Sequence, residues 1–591
     1  MAEEKQEEKS AEPDMKKLRR QAKDGVLKAQ YLLAVKLASG DGPEVDLKEA
    51  EKWYRKAAKR DFPPAMNNLA LLYTSDALGS PDLKAALKWY RKAAELGYAR
   101  AQAILGWRLV RGNGVPANES EGAALLTKAA EQGFALAQNN LGVCFSEGTG
   151  VNADEAQAVG WFRKAAEQGT VSAQFNLGLR CAQGRGAEKD LEVAKEWLTK
   201  AAEKNHAAAQ AHLADLLSGE EGADKAEVTR WYRAAAEAGC AAAQNNLGRC
   251  LAEGIGVEAN IKEAVEWYRR AAEQDCLPAQ FNLGRNLLET HSPEAARWLE
   301  QAAIADHTEA QWLLGRALDD GITLPRAAVA AVKWLRKAAE GGVREAQYRL
   351  AVSLERGDGV AENLTEAADW YTLAADAGHA AAQFNLGAMH ARGRGVPADD
   401  VKALKYYKLA AEQSIASAQC NLGAFHEQGR GTEQSFASAL RWYELAADQG
   451  LARAQYNLAV MLHLGRGGEA NLNEAVTWYR QAAKQGHAVA QHVLASLYYH
   501  GEGVEADAGE AAKWCQLAAE QEVPEAQLIL ADCYLRGRGV PEDFVLAYAW
   551  FNRASSHGLE IAEKNKRHTA RCMTPEQIAQ AQQMSRAHLA A

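Results

Sequence analysis

Three arginines, Arg249, Arg285 and Arg316, each follow a glycine (Gly248, Gly284 and Gly315), and the first two stand three residues after an asparagine, Asn246 and Asn282. Three positions is close to one helical turn, so on a helix each arginine shares a face with its asparagine. A guanidinium is a planar, permanently charged fork that fits a carboxylate through two parallel hydrogen bonds. An amide supplies both a donor and an acceptor. Asparagine returns in the same local context at Asn68, Asn140, Asn176, Asn385, Asn421 and Asn457. Side chains of this kind can hold a carboxylate or an extended peptide backbone.

No catalytic motif accompanies them. The chain has no H-E-x-x-H, G-x-S-x-G or S-x-x-K, and no Walker lysine after a glycine loop. Its G-x-G loops, such as Gly112-Asn113-Gly114-Val115 and Gly537-Arg538-Gly539-Val540, follow helical rather than strand patterns and recur along the chain, so they read as turns. Nine cysteines with no C-x-x-C spacing read as small buried apolar residues, not as metal ligands. No metal or cofactor is expected. A net charge of −9 over 591 residues gives no global reason for nucleic-acid binding, and the local basic stretch Lys564, Lys566, Arg567 and Arg571 reads as solubilising. Asn118 and Asn363, which open N-x-S/T triplets, read as helix-entry residues.

Repetition sets the elements that must carry these residues. An Ala-Gln slot returns fifteen times, from Ala29-Gln30 to Ala526-Gln527, almost always after 36 residues, with Ala65-Met66 as one variant. A fixed period of this length means one supersecondary unit stacked on copies of itself. Twenty-four positions after the slot alanine stands an aromatic in most copies, such as Trp53, Trp161, Trp267 and Trp442, and four residues later two small residues such as Ala57-Ala58. Ala50, Trp53, Ala57 and Ala58 fall at steps of 3, 4 and 1 with charges between them, the stripe of an amphipathic helix. Asp46, Asp190 and Asn260 stand where a cap is needed, and Gly97, Gly133, Gly169, Gly378, Gly450 and Gly486 fall just past helix ends. Each repeat therefore reads as helix, glycine loop, helix, turn, with tryptophan filling the space left by the alanine pairs. The step shortens to 34 after Ala209 and to 31 after Ala279, which predicts loops cut before Trp231 and Trp298 with helix stacking kept. Leu125 replaces the aromatic in one copy and predicts looser packing there.

The pattern A-x-x-Q-x-N-L-G, then G-x-G-V, then A-x-x-W-Y-R-K-A-A-E-Q-G resembles the Sel-one-like repeat family, relatives of tetratricopeptide repeats with a longer loop. Clear copies are Ala173 to Gly186, and Ala243 to Gly256 followed by Glu263 to Ala272. The resemblance covers nearly everything from Met15 onward and implies an all-α, right-handed α/α superhelical solenoid of about fifteen two-helix repeats. It implies a non-enzymatic adaptor or scaffold for other proteins, resembling bacterial cytoplasmic members with roles in regulation or complex assembly. In the related tetratricopeptide fold the asparagine position faces the inner groove. The resemblance therefore suggests a peptide-binding ladder of Asn140, Asn176, Asn246, Asn282, Asn385 and Asn421, with Arg249, Arg285 and Arg316 as a clamp for an acidic peptide or carboxyl terminus. The competing reading of these residues is that the asparagines serve the fold and the arginines pair with nearby acids. Phe175, Phe281, Trp312, Tyr348, Phe384 and Tyr456, directly after the slot glutamine, are candidate contact aromatics. Alternative functions are a β-lactamase-like hydrolase, as suggested for some secreted relatives, and a purely structural spacer.

Residues 1–14 are charged, lack aromatics and are expected to be disordered. The solenoid is expected over 15–560 and capping helices over 561–591, where Thr574 and Pro575 stand as a helix start. No apolar leader core occurs in the first 30 residues and no apolar run reaches membrane-spanning length, so no membrane insertion is expected and the cytoplasm is the expected compartment. Secreted members of the family carry a regular cysteine pair in each repeat; that pattern does not occur here.

Overall fold

The computed structural model describes residues 15–39 and 45–587. Every regular element among them is helical, 33 α-helices and one short 3-10 turn at Asp76–Leu78. The protein is an all-α solenoid with two compact halves, one ending at Asn286 and the other beginning at Leu287. The tail expected at residues 1–14 and the terminal Ala590-Ala591 lie outside the described residues.

One repeat illustrates how the sequence makes the helix pair. Its first helix, Ala241–Glu253, closes on Gly254, which takes the left-handed conformation (φ 70°) and donates its N–H to the Cys250 carbonyl. The loop then runs through Gly256, where a Cβ would lie 2.0 Å from the Lys225 carbonyl oxygen of the preceding repeat. Only glycine lets the loop rest on that helix start. Asn260 caps the second helix, Ile261–Ala272, by accepting from the Glu263 N–H at 3.2 Å. Asp46 and Asp190 cap their own helices through Glu49 and Val193 at 2.8 and 3.0 Å. Asn118 and Asn363 likewise accept from Glu121 and Glu366. The G-x-G loops are turns shaped by backbone contact.

The core adds a second ring to the expected one. Beside the buried tryptophan, the residue after it seats directly against the facing helix. Tyr268 is fully buried against Gly248, where a Cβ would meet its Cε1 at 2.7 Å. Phe162 does the same against Gly142 and Tyr443 against Gly423. Glycine in the first helix is thus the socket of a large ring in the second. Tryptophan is buried or half-buried beside that ring, with polar groups at its edge. The Trp267 indole N–H donates to Glu263 at 3.4 Å and Arg270 covers its ring at 4.5 Å, as Lys56 covers Trp53 at 4.1 Å.

The first irregular copy keeps its stacking. Ala207–Ser218 ends on Gly219 in a right-handed conformation, and after the shortened loop Asp224 starts Lys225–Glu237, which packs back on it. Glu294–Ile304 begins directly after Pro293 and packs on Thr308–Asp320. The Leu125 copy is not loosened. Gly106 and Gly122 face each other across Ala99–Arg111 and Glu119–Glu131, with a Cβ on either falling 2.8 or 2.7 Å from the other's carbonyl oxygen, so the two backbones touch.

Candidate functional site

The slot glutamine is buried and serves the stack. Gln138 Nε2 donates to the Ala130 carbonyl at the end of the preceding helix at 3.1 Å, and its Oε1 accepts from Gln168 of the following turn at 2.7 Å. The same relay joins Gln244 to Ala236 and Gln274, and Gln419 to Ala411 and Gln449. Each buried carbonyl that a helix end would leave open is thereby closed from the next repeat.

The asparagines two positions later are also engaged. Asn176 donates to Asn139 Oδ1 of the preceding repeat at 3.1 Å, and Asn140 accepts from Asn139 at 3.2 Å. Asn282 donates to Asn245 at 2.9 Å, and Asn246 accepts from Asn245 while donating to Asp215 Oδ1, both at 3.2 Å. In the C-terminal half Asn385 donates to the Tyr371 hydroxyl at 3.0 Å, and Asn421 accepts from Arg453 at 2.6 Å. Asn176, Asn246, Asn282 and Asn421 thus tie consecutive first helices together, whereas Asn385 reaches the second helix of the preceding repeat.

The arginines differ. Arg249, on Ala241–Glu253, and Arg285, on Leu277–Glu289, are both exposed, and among the described residues neither has a carboxylate within 4.0 Å. Arg285 lies 5.6 Å from the Phe281 ring centroid. The N-terminal half thus brings Asn246, Arg249, Asn282 and Arg285 onto successive first helices. Arg316, in the C-terminal half, is exposed on Thr308–Asp320 and sits 5.8 Å from the Trp312 ring. Sequence reading missed Asp215, which occupies the arginine position of the repeat before Arg249 and accepts from both Tyr232, at 2.7 Å, and Asn246. Its position, 34 residues before Arg249, was the available sign.

The aromatics after the slot glutamine are half-buried and partly spent between repeats. Phe175, Tyr348 and Tyr456 stack on His206, His379 and His487 with ring centroids 4.8, 4.3 and 4.8 Å apart. All nine cysteines are free thiols. Burial pushes Cys144 and Cys533 up to about 11, which makes them poor nucleophiles at neutral pH. Among the described residues no group of three or more His, Cys, Asp and Glu could hold a metal ion, and no helix is long and apolar enough to cross a membrane.

The Sel1 repeat model matches this chain in fourteen segments: five over 27–206, then 241–276 and 292–307, and seven over 308–559. The gaps fall beside the two shortened loops. A protective antigen of uropathogenic Escherichia coli with an SLR fold is 31% identical, covering 85% of this chain and 94% of its own, with a TM-score of 0.47. A Sel1 repeat protein from Oxalobacter formigenes is 34% identical over 51% of this chain and 90% of its own, with a TM-score of 0.44. A comparison with curated proteins gives no match. Since the repeat model accounts for most of the chain, the protein belongs to the Sel1 repeat family.

Proposed function

We propose that the protein is a non-enzymatic adaptor that holds other polypeptides along the exposed faces of its first helices and serves regulation or complex assembly. The Sel1 repeat is a scaffold fold that often mediates protein interaction, and its members are generally not catalysts. The observation that carries the reading is the pair of exposed guanidiniums, Arg249 and Arg285, neither of which has a carboxylate within 4.0 Å among the described residues. Charged side chains left in this state bind carboxylates. An acidic peptide segment or a carboxyl terminus lies across them, with Asn246 and Asn282 offering their remaining amide valence to its backbone. Asn140 and Asn176 extend the same chemistry in the N-terminal half, and Asn385, Asn421 and Arg316 offer it within the C-terminal half. The nine unpaired thiols fit a reducing, cytoplasmic compartment.

The test compares affinity purification on the wild type and on a variant carrying Arg249→Glu, Arg285→Glu and Arg316→Glu, both first checked by circular dichroism. A stoichiometric partner lost from the folded variant is the expected result. A partner retained by the variant overturns the arginine site, and no stoichiometric partner with either overturns the adaptor reading.

A further inference from the structure

In most repeats that carry tyrosine after the tryptophan, the buried ring brings its hydroxyl to a partner on a first helix. One source of partner is the residue nine positions after the slot alanine: Glu355 accepts from Tyr371 at 2.8 Å, Glu427 accepts from Tyr443 at 2.9 Å, and His463 Nδ1 lies 3.4 Å from Tyr479. A second source is the asparagine fourteen residues on, which serves Tyr54 through Asn68 and Tyr371 through Asn385. Tyr232 uses Asp215. Tyr90 also lacks a close partner, but the Thr74 hydroxyl stands beside it.

Tyr268 has neither source. Ala252 stands where the other repeats carry Glu355 and Glu427, and the Asn282 amide is donated to Asn245. The Tyr268 hydroxyl is buried with no hydrogen-bond partner. Burial raises this phenol to about 12, so at neutral pH it is a donor in need of an acceptor. The charges that act on it are Arg285 and Arg249 from the two flanking first helices, and Glu253, which forms no ion pair with either arginine. Ala252 is only half-buried, so solvent reaches the position where the other repeats carry that glutamate.

We propose that Tyr268 Oη, Arg249 and Arg285 form a seat for one carboxylate of a bound polypeptide, which takes the place that Glu355 and Glu427 fill in their own repeats. The incoming carboxylate accepts from the Tyr268 O–H on one side and from the guanidiniums on the other. This rests on the acidic-peptide reading given above, and it adds the atom that ranks a carboxylate over any other anchor: a phenol whose counterparts in three other repeats already hold one.

The probe is a fluorescein-labelled hexaglutamate with an amidated terminus, compared by anisotropy with a hexaglutamine carrying a free carboxyl terminus, so that side-chain and terminal carboxylates are told apart. The variants are Ala252→Glu, which plants the missing carboxylate in cis, Tyr268→Phe and Arg285→Glu. Binding of at least one probe is expected, weakened about tenfold or more by Ala252→Glu and by Arg285→Glu and severalfold by Tyr268→Phe. Ala252→Glu is expected to melt at or above the wild-type temperature, which separates occupation of the seat from damage to the fold. If Arg285→Glu weakens binding while Ala252→Glu and Tyr268→Phe bind as the wild type does, the seat is overturned and the acidic-peptide reading stands. If Arg285→Glu also binds unchanged, or neither probe binds the wild type, both fall.

Discussion

At the scale of single residues, the slot glutamine carries more of the fold than its polarity suggests. Gln138 closes the Ala130 carbonyl and receives the Gln168 amide, so Gln138→Leu leaves one buried acceptor and one donor short. A loss of about 1–3 kcal/mol is expected from such orphaned groups, measured by urea unfolding. Gln168→Ala removes only the outer, exposed link and should cost about 1 kcal/mol or less. Equal costs for the two variants would show that the relay is not what holds the slot. The recurrence of Ala-Gln was legible in the sequence, but its purpose was not, because the acceptor and the donor stand 8 residues before and 30 after, in other helices. The same gap hides the part of the tyrosine. Period 3.6 puts both Trp267 and Tyr268 on the buried stripe, and only the Gly248 socket on the facing helix decides which ring seats directly against it.

At the scale of the helix, the ends were the most readable feature where Asp, Asn and Gly mark them, and the least where histidine does. His206, His307, His379 and His487 each start a first helix, with Nδ1 accepting the N–H of Ala209, Ala310, Ala382 and Ala490 at 3.1–3.3 Å. An accepting Nδ1 must be unprotonated, and protonation would also set a positive charge on the positive end of the helix. Burial, the leading cause, holds His206 and His487 below the usual histidine range, against a smaller opposing backbone bond. A histidine depressed in the fold binds protons more readily when unfolded, so its contribution is complete above the unfolded value of about 6.5 and is lost as pH falls from there toward the depressed one. The melting temperature should therefore decline between about pH 7 and pH 5, before the carboxylates titrate. His487→Asp keeps a cap acceptor without this titration and should flatten that part of the profile. A variant whose decline matches the wild type would assign it to other groups. His379 Nε2 also lies 3.0 Å from Glu345 Oε2.

At the scale of the whole molecule, most helices within each half pack chiefly on their neighbours in the chain, so stability should be a sum of local terms rather than a single cooperative block. The period alone made this architecture legible, whereas the tyrosine left without its acid at Ala252 emerges only when repeats are superposed on one another's partners. The C-terminal end gives the clearest test of locality. Helix Pro575–Ala587 begins with a reciprocal cap, Thr574 N–H to Gln577 and Gln577 N–H to Thr574 Oγ1, and lies on Phe544–Ser556. Its anchor is Ala581, fully buried in a cluster with Tyr548 and Ala549, with Asn552 donating to Ser585 at 2.9 Å beside it. Ala581→Glu forces a charge into that contact and should undock the helix. Amide hydrogen exchange should then quicken in residues 575–587 and 544–556, with helices such as Ala380–Arg392 and Asp400–Glu412 keeping wild-type protection. Loss of protection spreading evenly through those helices would mean that the stack melts as one unit, since nearest-neighbour coupling confines the damage to the interfaces that the substitution touches.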